Sequence, residues 1–272
     1  MSEASWKSSG VAEWWGKSAA ARNLHMAEVT ARMFEEAAVR RGMTVLELGA
    51  GSGEVAATLS GLVGPQGRVV ATDGSASMLE TAQRTLAQAG AANVTTRVCD
   101  AAAIDLPEAS FDAVVARMLL MFVDLGAVLP GVHRVLRDGG RFAAAVWGPV
   151  ANNHFQRIVL DAARAEGGPV DPGLELAKAF SKGDRALYET SLAKAGFRDV
   201  RVHVVGGVRK FADVAAAMAS IRESPIHTAP VAALADAKRA GAWQRIEREL
   251  AGFAKGGAVE MPAEWLVMGA AK

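Results

Sequence analysis

The sequence predicts a doubly wound α/β fold: a mostly parallel, seven-stranded sheet with helices on both faces and helical cap insertions. Three observations carry that expectation. Short β-branched runs alternate with amphipathic helical stretches through the first half of the chain. The first of those runs ends in a glycine-rich turn that opens a helix. The chain has 272 residues, 51% hydrophobic and 22% charged, enough to build one full-sized core.

Five strand candidates come first: Thr44–Leu48, Arg68–Thr72, Val94–Val98, Phe111–Ala116 and Arg141–Trp147. Between the second and third, Met78, Leu79, Ala82 and Leu86 recur on one helical face. Ser77 and Glu80 have capping-box spacing there, and Gly90 supplies a stop. Residues 151–196 read as helices broken at Gly167-Gly168-Pro169 and Pro172-Gly173. Phe197–Val205 reads as a sixth strand and Trp265–Ala270 as the last. Between them, residues 212–254 are Ala-rich and helical, interrupted around Pro225 and Pro230. The helical insertions show no core of their own. They are expected to cap the carboxyl ends of the strands, where open α/β sheets bind ligands. The expected organisation is an N-terminal helical lid over 1–40 and a ligand-binding core over 41–150. Residues 151–272 then complete the same domain.

Composition excludes several classes. Net charge is +1 with no basic stripe, which argues against a nucleic-acid partner. The single cysteine, Cys99, rules out an intrachain disulfide framework and fits a reducing compartment. Met1–Gly10 is polar and lacks the apolar core of a signal peptide. The longest apolar stretch, Phe111–Val123, is interrupted by Asp112 and Arg117 and is too short to span a bilayer. A cytoplasmic chain acting on a small molecule, without nucleic acid or membrane insertion, is expected. No metal is expected, because the five histidines are scattered.

The most informative run is Val45-Leu46-Glu47-Leu48-Gly49-Ala50-Gly51-Ser52-Gly53-Glu54. A strand ends, glycines follow and a helix begins, so backbone N–H groups can approach a ligand closely. The dinucleotide fingerprint G-x-G-x-x-G matches at Gly49 and Gly51, but its third position falls on Glu54, which would repel a pyrophosphate. What stands here is E-x-G-x-G-x-G. Two more acids follow, Asp73 at the end of the second strand and Asp100 at the end of the third. Asp73 lies where nucleoside-binding α/β folds place a carboxylate for ribose hydroxyls. Each aspartate alone could be a helix cap. Three acids at successive strand ends, in register with a glycine loop, are harder to explain that way.

This pattern resembles the first motif of the Rossmann-like, class I S-adenosylmethionine-dependent methyltransferases. The similarity covers residues 40–150 and is greatest to the menaquinone- and ubiquinone-biosynthesis type and to natural-product methyltransferases. It implies S-adenosyl-L-methionine as methyl donor and S-adenosyl-L-homocysteine as product. It further implies donor contacts from Glu47, Gly49, Ala50, Gly51, Gly53, Asp73, Gly74, Met78, Asp100, Ala101 and Arg117. In such proteins the glycine loop wraps the amino-acid end of the donor, which carries a sulfonium and an ammonium and no phosphate, so an acidic surround suits it. Asp100 would meet the adenine amino group, and His133 fits a scaffold position.

For the acceptor, Met118-Leu119-Leu120-Met121-Phe122 after the fourth strand is expected to line an apolar pocket, although core packing explains at least some of these residues. Met118, Met121, Phe122, Trp14, Trp147 and His227 are the acceptor-side candidates. Trp14 and Trp15 could belong to a lid over the donor or only pack a helix onto the body. If the acceptor must lose a proton, His154 is the candidate base and His227 the second, against a bland surface reading for each. The stretch Gly10–Ser18 mimics a P-loop but has the wrong glycine spacing and no preceding strand. An S-adenosylmethionine-binding protein of this fold with a pericyclic or regulatory role remains the alternative, since fold does not settle chemistry.

Overall fold

Val45 to Leu48 are all buried, as are Val69 to Thr72 and Ala113 to Ala116. Unbroken burial along a strand means that both of its faces are covered, which is the signature of a parallel sheet sandwiched by helices. The computed structural model describes residues 9–168 and 179–272. Three helices precede the first strand: α1 (Ser9–Lys17), α2 (Ala19–His25) and α3 (Ala27–Glu36). Then follow β1 (Thr44–Leu48), α4 (Glu54–Val63), β2 (Arg68–Asp73), α5 (Ala76–Gln88) and β3 (Val94–Val98). The first half closes with β4 (Phe111–Arg117), α6 (Leu125–Val135) and β5 (Leu136–Trp147).

The second half holds α7 (His154–Ala165), α8 (Arg185–Lys194) and β6 (Arg198–Phe211), then α9 (Val214–Glu223), α10 (Pro225–Ala232) and α11 (Asp236–Ala251). A two-residue strand, β7 (Ala254–Lys255), and the long β8 (Ala258–Ala271) end it.

The strand order is β3-β2-β1-β4-β5-β8-β6, with β7 paired antiparallel to β8 off that path. The seven expected strands are therefore joined by a short eighth. β1 pairs parallel with β2 on one side and β4 on the other, with Leu46 opposite Val70 and Val114. From β1 the chain builds outward through β2 to β3, then returns to place β4 on the opposite flank. The order thus reverses between β1 and β4, and the crevice outside the carboxyl ends of those strands is where this architecture binds ligands.

Several local expectations need correction. α5 is capped by Ser75, whose Oγ accepts from Met78 N, and not by Ser77 with Glu80. The interruption expected around Pro225 is present, since α9 ends at Glu223 and Pro225 opens α10 where its missing N–H is harmless, whereas Pro230 lies inside α10 and does not break it. Gly167 follows the end of α7 with φ of 76°. The breaks expected at Pro169 and Pro172-Gly173 lie outside the described residues.

The chain divides into two compact units. The larger comprises Glu3–Val146, Asp184–Val204 and Leu266–Lys272, and contains the glycine loop. The smaller comprises Trp147–Gly183 and Val205–Trp265. The boundary cuts through β6 and β8. The smaller unit does have its own core, contrary to the sequence reading. Phe155, Ile158 and Val159 of α7 pack with Ile221 of α9, Ile246 and Leu250 of α11, and Val259 and Met261 of β8. These residues are scattered along the chain, so no single window reveals the cluster. Among the described residues, no helix is long and apolar enough to cross a membrane.

Candidate functional site

At the end of β1 the chain turns through Gly49, Gly51 and Gly53, with φ of 72°, 54° and 87°. Gly53 is the left-handed N-cap of α4, and a Cβ there would lie 2.9 Å from the Ala82 backbone of α5. At Gly51 a Cβ would meet the Trp15 indole at 3.0 Å. Both conformation and space demand glycine at these positions. The loop is tied to β2 twice: Ala50 N donates to Thr72 O at 2.8 Å, and Gly51 N donates to Asp73 Oδ2 at 2.9 Å.

Three carboxyl groups gather here. Glu47 is 1% exposed, and its Oε2 has no hydrogen-bond partner among the described residues. Burial, above all, pushes its pKa up to about 8. Arg117 opposes the rise, and Glu54 and Asp73 add to it. Glu54 is buried at the start of α4 and accepts from Ser52 Oγ at 2.7 Å. It also pairs with Arg22 of α2, and Arg117 Nη2 stands 3.9 Å from its Oε2. Asp73 uses one oxygen for Gly51 N and the other for Ser75 N, each at 2.9 Å. Burial raises its pKa against those two bonds.

Asp100 is exposed, and its Oδ1 accepts from Ala102 N at 2.9 Å, capping the turn Ala101–Ala103. Gly74 is exposed beside Asp73, whereas Met78 is 4% exposed and packs into the core. Arg117, at the end of β4, donates to Thr30 Oγ1 at 3.0 Å and faces Glu54, so its guanidinium is engaged within the protein.

Across the crevice, the residue after β4 is strained. Met118 has φ of 61°, a left-handed conformation unfavourable to a side chain, and its N–H donates to Ala145 O at 2.7 Å. The strain turns Leu119 toward the glycine loop, where a Cβ on Gly49 would meet it at 3.2 Å. The apolar run then divides: Leu120 and Met121 are core, whereas Met118 and Phe122 are partly exposed. Trp14 sits edge-on to Trp15, centroids 5.4 Å apart, and Trp15 lies against Gly51. In the smaller unit, Trp147 stacks on Trp265 at 5.4 Å and lies 6.0 Å from Phe180.

The histidines separate by environment. His133 packs against Phe197 at 5.1 Å, a scaffold contact. His154 faces Arg157 at 2.8 Å, and burial followed by that cation lowers its pKa. His227 is 8% exposed, bonds to Ser224 Oγ through Nδ1 at 2.7 Å, and is pushed down to about 3 by burial and then Arg209.

Sequence reasoning missed Arg22, Thr30 and Ser52. Arg22 lies 32 residues before its partner Glu54, and nothing in local spacing signals that pair. It clamps α2 onto the loop, donating to Ser52 Oγ at 3.0 Å and Trp15 O at 3.1 Å while stacking over the Trp15 ring at 4.3 Å.

Residues 45–140 match the methyltransferase domain family. A ubiquinone/menaquinone biosynthesis C-methyltransferase, UbiE, of Hahella chejuensis is 38% identical over 109 residues, covering 39% of this chain and 44% of that protein. The chain thus spans under half the length of that relative. The fold of the YcgJ protein from Bacillus subtilis matches with a TM-score of 0.58 at 17% identity, over 90% of this chain and 98% of that one. An S-adenosylmethionine-dependent methyltransferase from Aquifex aeolicus matches with a TM-score of 0.50 at 22% identity, over 65% of this chain and 82% of that one.

Proposed function

We propose that this chain, whose residues 45–140 match a methyltransferase domain family, is a class I S-adenosylmethionine-dependent methyltransferase that moves a methyl group onto a small, largely apolar metabolite. Quinones, polyketides, terpenoids and aromatic metabolites are the acceptor classes that an apolar lining suits. The observation that carries the reading is Glu47. A buried carboxyl with an unpartnered oxygen and a pKa of about 8 is costly unless a cation meets it. The donor has two, an ammonium and a sulfonium, at the end that a glycine loop is suited to hold. The cradle fits the donor's other parts as well. Each Asp73 oxygen retains acceptor capacity beyond its one backbone bond, enough for two ribose hydroxyls. Asp100 stands at the next strand end for the adenine amino group.

S-adenosylmethionine supplies an electrophilic methyl group on sulfur. The chain's own part is to orient the donor and keep water from the reacting atoms. In-line displacement depends on positioning, and a dry, apolar lining does not oppose the dispersal of positive charge when the acceptor is neutral. Met118 and Phe122 supply the exposed part of that lining in the larger unit. His154, whose pKa is lowered by burial and then by Arg157, is the residue we assign as proton acceptor for a protic substrate. His227, already bonded to Ser224 and pushed down to about 3, is too weak a base for that role.

The reading is tested by incubating the full chain with S-adenosylmethionine and candidate acceptors, and following S-adenosylhomocysteine formation. Acceptor-dependent product is expected. Donor binding without product from any member of the four classes would remove the proposed substrate range.

A further inference from the structure

The smaller unit holds a cation that no acidic group among the described residues neutralises. Along β6, Val205, Gly207, Arg209 and Phe211 share the more covered face, while Gly206, Val208 and Lys210 are exposed. Arg209 therefore stands where an apolar residue is the rule. Its guanidinium carbon lies 3.9 Å from the Phe155 ring centroid and 5.3 Å from that of Phe211. Those two rings stack 5.0 Å apart. Burial lowers its pKa, to about 10, with no acidic group among the described residues offsetting the effect. Its sequence neighbour Lys210, by contrast, has Glu260 at 2.7 Å.

A second polar group meets the same ring. His227 is 8% exposed and edge-on to Phe155 at 5.2 Å. Its Nδ1 is 2.7 Å from Ser224 Oγ, and its Nε2 is buried without a hydrogen-bond partner among the described residues. A half-buried guanidinium without an anion and a buried imidazole nitrogen without a partner, among the described residues, are each unfavourable. One carboxylate would satisfy both. With the proton on Nε2, the histidine donates to one oxygen while Ser224 donates to Nδ1. The planar fork of Arg209 takes the other oxygen. Phe211, partly exposed over the buried Phe155, offers an apolar surface to whatever carries that carboxylate.

We infer that Arg209 and His227 form a binding site for the carboxylate of an aromatic or otherwise flat, apolar ligand. Taking that ligand as the methyl acceptor rests on the methyl-transfer reading; the site itself does not. The probes are 2-naphthoate and its neutral isostere 2-naphthamide, titrated calorimetrically into the full chain. The unaltered protein should bind the carboxylate at least about tenfold more tightly, a difference of ~1.4 kcal/mol. Arg209→Met should abolish the preference without lowering the melting temperature, since it removes a half-buried charge that no acid among the described residues pairs. Arg209→Lys should keep part of the preference, and His227→Phe should reduce it. Equal affinity for the two probes, binding of neither, or a preference that survives Arg209→Met would overturn the inference. S-adenosylhomocysteine is titrated into the same proteins. Failure of that ligand alone would count against the methyl-transfer reading and leave the carboxylate site standing.

Discussion

Asp73 Oδ2 accepts a hydrogen bond from Gly51 N at 2.9 Å, so the acid at the end of β2 holds the glycine loop at the end of β1. One carboxylate thereby shapes the loop and presents its spare acceptor capacity beside it. Asp73→Ala should weaken S-adenosylmethionine binding at least about tenfold, because hydrogen bonds to a charged group contribute ~1.5–3 kcal/mol each. It should also lower the melting temperature of the protein alone, since the Gly51 and Ser75 N–H groups lose their acceptor. Asp73→Asn keeps one acceptor oxygen and should lose less of both. Calorimetry and melting on the same variants check this. Unchanged donor affinity with a lowered melting temperature would leave Asp73 a purely structural role.

Glu47 predicts a pH effect with a definite sign. Its folded pKa, about 8, lies above the ordinary carboxyl value, so near neutrality the folded chain keeps a proton that the unfolded chain releases. Between about pH 4.5 and 8, stability is therefore lost as pH rises. Glu47→Gln should match the unaltered protein near pH 4.5 and exceed it in melting temperature near pH 8. A cationic ligand favours the ionised carboxylate, so donor binding at pH 7 should release close to one proton. Titration in buffers of different ionisation enthalpy measures that number. No release at pH 7 would mean that Glu47 does not face the donor's charge.

The Arg22–Glu54 pair predicts that α2 and the loop are energetically coupled. Both side chains are largely buried, and breaking such a pair from one side costs roughly 3–5 kcal/mol. Arg117 remains near Glu54, so Arg22→Met should fall toward the low end. The double change Arg22→Met with Glu54→Gln should recover part of the loss. Additive losses in a double-mutant cycle would show that the pair is not coupled.

The apolar run after β4 predicts a split between acceptor and donor. Phe122→Asp should reduce turnover of an apolar acceptor while leaving donor binding nearly unchanged, because Phe122 is partly exposed. Met121→Asp should unfold the chain, since Met121 is 2% exposed. Equal loss of donor binding in Phe122→Asp would make that residue part of the scaffold.

The parallel half of the sheet was legible because its strands are short, β-branched and punctuated by glycine and polar turns. The three acids could be found because each lies close to a strand end: Asp73 is the last residue of β2, Glu47 the last but one of β1, and Asp100 the second after β3. The longer strands were not legible. Phe197–Val205 was expected as a strand, but β6 runs from Arg198 to Phe211 through Gly206-Gly207, which reads as a break. Gly207 is instead a contact requirement, because a Cβ there would lie 2.8 Å from the Trp265 ring. β8 begins at Ala258 and passes through an exposed Pro262, another false stop. Arg22 and the core of the smaller unit depend on contacts between residues far apart in sequence, which periodicity does not encode.

The central claim is that the loop from Gly49 to Gly53, with Glu47 and Asp73, holds S-adenosylmethionine and not a dinucleotide. Calorimetric titration of the full chain with S-adenosylhomocysteine, and separately with NAD, tests it most directly. The account predicts saturable one-to-one binding of S-adenosylhomocysteine and none of NAD. At one hundred times its dissociation constant, S-adenosylhomocysteine should also stabilise the fold by about 2.7 kcal/mol. Saturable binding of NAD with no heat from S-adenosylhomocysteine would contradict it.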